Sequence, residues 1–108
     1  MSTRVLVFAT VDNDQAKDFE RAFAAVSRQV ATTPGHISDQ LLRNDRDGSY
    51  VLFSEWESRE AFLAWEDAPM HRLITTPMRR FWTGRVERLI YDIAVRDGVR
   101  LDGDEYDN

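Results

Sequence analysis

An α+β fold, a four-stranded antiparallel sheet with its helices on one face, is predicted for these 108 residues by three observations. Strand-type and helix-type hydrophobic periodicity alternate along the chain in the order β–α–β–β–α–β. A short turn-rich connection, "NDRDG", joins the second and third strands in the manner of a hairpin. Hydrophobic residues make up 43% and aromatics 11%, enough to fill one core and too much for a disordered chain.

Residues 4–11, "RVLVFATV", are β-branched and aromatic and end at "DND", as a first strand should. Asp12 with Gln15 resembles a capping box. Ala16, Phe19, Phe23, Val26 and Val30 then form one apolar stripe, predicting a helix over 14–32 that stops before "TPG". "HISDQLLR" (36–43) and "SYVLFSEWE" (49–57) are the hairpin strands. Ser58 is a fitting N-cap for "REAFLAWED", with Glu60 in the first turn. Pro69 suits the start of a short helix, "PMHRLIT", which Pro77 is expected to interrupt. A last strand is expected over 85–95, with Leu89, Tyr91, Ile93 and Val95 on one face and Val86, Arg88, Ile90 and Asp92 on the other. Residues 1–98 read as one domain and 99–108 as an acidic, loose polar tail.

This order of elements is the split βαβ, or ferredoxin-like, arrangement. Both helices lie on one side, so the other face of the sheet is uncovered. Yet strand one is apolar on both faces: Val5, Val7 and Ala9 on one, Leu6 and Phe8 on the other. An apolar sheet of that size is an association surface, and a homodimer through the sheet face is expected.

Charge narrows the function. The formal net charge is −5, but four of the 19 acids fall in residues 102–108, so the body is nearly neutral. No basic patch invites nucleic acid, and no polybasic or apolar segment invites a membrane. There is no cysteine, hence no thiolate nucleophile or cysteine-held metal, and the N-terminus lacks signal-peptide features. A cytoplasmic protein is the expectation. A phosphate-cradling glycine loop, a Rossmann fingerprint and a nucleophile elbow are all missing. Two histidines without close carboxylate spacing argue against a tight transition-metal site.

Three stretches, "TTPGHISDQLLR", "DGSYVLFSEWESREAFLAW" and His71, resemble the antibiotic biosynthesis monooxygenase family of the dimeric α+β barrel superfamily. The resemblance spans roughly residues 4–95 and is nearest to polyketide-tailoring anthrone oxygenases over "QLLRNDRDGSYVLFSEWESREAF". It implies a small dimer with a pocket between sheet and helices. It also implies a cofactor-independent oxygenase, with molecular oxygen as co-substrate, that turns a polycyclic phenol or anthrone into a quinone. Other members oxidise quinols or degrade haem. Two departures stand out: Val7 or Phe8 occupies the place of a strand-one Asn, and Thr75 falls where haem degraders carry a ligand His.

The candidate residues each read two ways. Trp56, at the end of strand three, is a core anchor or a wall that stacks on a flat substrate. Trp65 shares a helix face with Phe62 and offers the same alternatives. With Phe8, Met70 and Ile74 these make up the expected substrate-binding set. His71 is a hydrogen-bonded structural residue, a general base, or a donor to a substrate oxygen. His36, Ser38 and Gln40 alternate along strand two, so regular pleating puts them on one face, meeting solvent or lining a wet cavity. In the second case His36 or His71 takes the proton, and Ser38 and Gln40 hold the oxygen. A cyclase or isomerase on the same kind of substrate, and a non-catalytic ligand-binding dimer, are the competing readings.

Overall fold

The computed structural model describes residues 2–101. β1 (Thr3–Val11) leads through a 3₁₀ turn (Asn13–Gln15) into α1 (Ala16–Val30). The hairpin strands β2 (His36–Arg43) and β3 (Tyr50–Trp56) follow, then α2 (Arg59–Glu66), α3 (His71–Arg79) and β4 (Trp82–Asp92). All pairings in the four-stranded sheet are antiparallel and the strand order is β2-β3-β1-β4. The expected ferredoxin-like α+β architecture is therefore the observed one.

The inner face carries the core. On β1 the odd residues Thr3, Val5, Ala9 and Val11 are buried, opposite Trp56, Ser54 and Tyr50 on β3. The α1 stripe lies over them, with Phe19 fully buried and edge-on to Tyr50 at 4.8 Å. Burying such side chains stabilises by about 1.5–3 kcal/mol each, which is what holds a helix of ordinary propensity onto the sheet. Ser58 caps α2 as expected, its Oγ accepting from the Ala61 N–H at 3.1 Å.

Four local expectations are corrected. Asp12 makes no side-chain capping bond; its carbonyl instead accepts the Gln15 N–H at 2.9 Å in the 3₁₀ turn. Pro77 does not stop α3. The Leu73 carbonyl that its missing N–H leaves free belongs to a residue 66% exposed, where water can serve it, and Thr75 and Thr76 donate to the carbonyls of His71 and Arg72. β4 starts three residues early, at Trp82, because a register shift between Phe8 and Thr10 and a left-handed Gly84 let pairing resume at Thr83. It ends at Asp92, and Val95–Arg96 and Val99–Arg100 pair as a small hairpin, β5 and β6, rather than trailing as a loose arm. Residues 102–108 of the acidic tail lie outside the described residues.

Gly35 sits where β2 meets α2. Its φ is +83°, and a Cβ there would lie 2.4 Å from the Ala61 Cβ, so only glycine allows α2 this close.

The outer face is open. By register it presents Leu6, Phe8, Val51, Leu42, Leu89 and Tyr91, of which Phe8, Leu42 and Tyr91 are strongly exposed. Arg4 and Glu55 form an ion pair at 2.8 Å within it, and the Ser38 hydroxyl donates to the same carboxylate at 2.7 Å. Among the described residues no helix is long and apolar enough to cross a membrane.

Candidate active site

Between sheet and helices lies a cavity of about 300 Å³, at the lower end of the range for small-molecule sites. Its walls are mainly apolar: Val5, Val7, Leu52 and Trp56 from the sheet, Phe23, Val26 and Val30 from α1, Phe62 and Trp65 from α2, Met78 from α3 and Val86 from β4. The charged and titratable groups on this lining are Asp39, Glu66, His71, Arg79 and Arg88, joined by Ser27, Ser54 and Thr75.

Trp56 is a core residue that also borders the cavity. It is 1% exposed, its indole N–H donates to Ser54 Oγ at 3.0 Å, and it still borders the cavity. Trp65 stands edge-on to His71, ring centres 5.0 Å apart. The His71 imidazole is held below the usual histidine range, first by burial and then by the nearby Arg79 guanidinium, against an opposing pull from Glu66. It therefore faces the cavity as neutral imidazole at pH 7, able to take a proton or to donate its N–H. Burial likewise lowers the Arg79 guanidinium, which stacks over Trp82 at 5.1 Å. Arg88 of β4 forms a fork with Glu66 of α2, at 2.9 and 2.5 Å, and lies over the Phe62 ring.

Strand β2 departs from the expected pattern. A bulge between His36 and Ser38 inserts Ile37 as an extra residue, so the run from His36 does not alternate regularly. His36 is opposite Trp56 and Asp39 opposite Ser54, both on the inner face, whereas Ser38 is opposite Glu55 and Gln40 opposite Phe53 on the outer face. Ser38 and Gln40 thus cannot hold a ligand oxygen in the cavity alongside His36. His36 lies behind the lining, edge-on to Trp56 at 5.0 Å, with Nε2 3.0 Å from Asp39 Oδ1. That ring N–H points off the line to the oxygen, so the contact is an electrostatic approach without a hydrogen bond. Asp39 Oδ2 accepts the Ser27 hydroxyl at 2.8 Å.

Of the other expected residues, Phe62 lines the cavity, Phe8 is on the outer face, Met70 is 52% exposed, and Ile74 packs against the core outside the lining. Thr75 is buried and bonds its own helix through the His71 carbonyl. Asp39, Arg79 and Trp82 were missed. Asp39 follows His36 by three residues, a spacing that regular pleating sends to opposite faces and that only the bulge brings to one.

The model of one family, described as antibiotic biosynthesis monooxygenase, matches residues 2–75, about two thirds of the chain. Protein SchA of Streptomyces halstedii is 36% identical over 81 residues, covering 74% of this chain and 21% of that protein. A 42.8 kDa protein in the whiE locus of Streptomyces coelicolor is 34% identical over 76 residues, covering 69% of this chain and 19% of that protein. The chain thus spans about a fifth of the length of these two curated relatives. SnoaB, a cofactor-independent oxygenase from Streptomyces nogalater, superposes with a TM-score of 0.73 at 28% identity, over 89% of this chain and 95% of its own.

Proposed function

The chain belongs to the antibiotic biosynthesis monooxygenase family, and on that premise we propose that it is a cofactor-independent monooxygenase acting on a polycyclic phenol or anthrone in antibiotic biosynthesis. The observation that carries this reading is the mainly apolar cavity in which neutral His71 stands against Trp65. The likeness to SnoaB supports the oxygenase chemistry without a cofactor.

Dioxygen reacts slowly with closed-shell organic molecules, so the substrate itself must become electron-rich. Loss of a ring-methylene proton gives an enolate that passes one electron to O₂, and the two radicals join as a peroxide. The peroxide loses water: one oxygen atom stays on the ring carbon as the quinone carbonyl, and the other leaves with both methylene hydrogens. Each unit by which the substrate pKa lies above ambient pH costs about 1.4 kcal/mol. A fixed donor facing the developing oxyanion in a water-poor cavity offsets part of that cost. His71 is that donor, and Trp65, Trp56 and Phe62 hold the rings. The protein works as a homodimer through the outer sheet face, which would cover Phe8, Leu42 and Tyr91.

Oxygen uptake with a dihydroxyanthrone tests the reading. One O₂ consumed per quinone formed is expected, with no turnover under nitrogen. Product formation under strict anaerobiosis would replace it with a cyclase or isomerase of the same fold.

A further inference from the structure

We infer that Asp39 is the base that takes the substrate proton and that His36 is a positioning residue behind it, an assignment that rests on the cavity being the seat of an enolate-forming reaction. The Ile37 bulge turns both residues inward from a strand whose neighbours Ser38 and Gln40 point out, and bulges that re-aim side chains concentrate beside active sites. The Asp39 carboxylate lines the cavity with 11% of its side chain exposed. One oxygen is held by Ser27 at 2.8 Å and the other stands 3.0 Å from His36 Nε2. A carboxylate has about four lone-pair sites, so these contacts fix the group without saturating it. As a purely structural pair it would be a poor device, since buried charges are often replaced by apolar packing without loss.

In the step proposed, the methylene C–H bond breaks, its electron pair stays on the substrate as the enolate, and the proton moves to an Asp39 oxygen. The His36 imidazole, only 4% exposed and wedged against Trp56, keeps the carboxylate facing the rings. Arg79 and Arg88 place positive charge around the enolate, Glu66 pairs with Arg88, and neutral His71 gives its N–H to the oxygen. Base and donor are then separate groups, Asp39 on β2 and His71 on α3.

Deuterium exchange into the methylene of a dihydroxyanthrone, followed by proton NMR under nitrogen, isolates this step from oxygen chemistry. Asp39→Asn should slow exchange above the buffer rate by about 100-fold or more, while a hydroxyanthraquinone still quenches tryptophan fluorescence with near-native affinity. Acetate should restore part of the exchange in Asp39→Ala, and His36→Gln should shift the pH midpoint of exchange. Native exchange in folded Asp39→Asn, or loss of quinone binding in Asp39→Ala without acetate rescue, would overturn the assignment. So would a wild-type protein that exchanges no faster than buffer. Wild-type exchange without oxygen uptake would sink the monooxygenase reading and leave the base in place.

Discussion

His71 carries a consequence for pH. Its folded imidazole titrates below the unfolded value of 6.5, chiefly because it is desolvated. As pH falls below 6.5 the unfolded chain takes up the proton first, so acid favours unfolding through this residue. Thermal melts stepped down from neutrality should show stability dropping in that window, and His71→Gln should flatten the slope. An unchanged slope would mean the ring is not desolvated. At this scale size and chemistry picked out residues that reach the cavity: Trp56, Trp65, Phe62 and His71. Direction was harder. Unbroken two-residue alternation would put His36, Ser38 and Gln40 on one face, and one inserted residue, Ile37, sends Ser38 and Gln40 outward while His36 and Asp39 face in. Nothing in "HISDQ" announces a bulge, since it arises from pairing with β3.

Elements were more legible than orientations, because hydrophobic period survives small local errors. The α1 stripe and the β2–β3 hairpin are where the pattern put them. The misses came from rules overridden by context: Pro77 is accommodated in a final, water-facing turn, and Gly84 sits at an irregularity inside β4 rather than ahead of the strand. The β5–β6 hairpin turns on Asp97 and Gly98, both left-handed, a pair whose hairpin preference is legible in "RDGVR". The junction of β2 and α2 supplies a prediction. Gly35→Ala adds a methyl 2.4 Å from the Ala61 Cβ at a left-handed position. Strain and overpacking together should cost about 2–4 kcal/mol, read as a lowered urea midpoint with α2 displaced. A loss under about 0.5 kcal/mol would mean α2 is free to back away.

For the whole molecule, the exposed outer face is the dominant feature. Phe8, Leu42 and Tyr91 are 38%, 46% and 49% exposed on one sheet surface, the kind of apolar surface on which the proposed homodimer rests. Phe8→Glu, at the centre of that surface, should convert a dimer to a monomer by sedimentation velocity while leaving the fold intact by circular dichroism. A wild-type protein that sediments as a monomer at micromolar concentration would end the homodimer reading.

The sheet is one residue thick, and neighbours along β1 and β3 look opposite ways: Val5 toward the cavity and Leu6 away, Trp56 toward it and Glu55 away. A guest that spreads the floor of the chamber therefore presses, through the same backbone, on whatever lies beneath. In the homodimer proposed above, filling the chamber and joining two copies would be reciprocal events, each changing the other's equilibrium by the same factor. Occupancy would then depend on protein concentration, and dilution would empty the chamber sooner than its own contacts dictate.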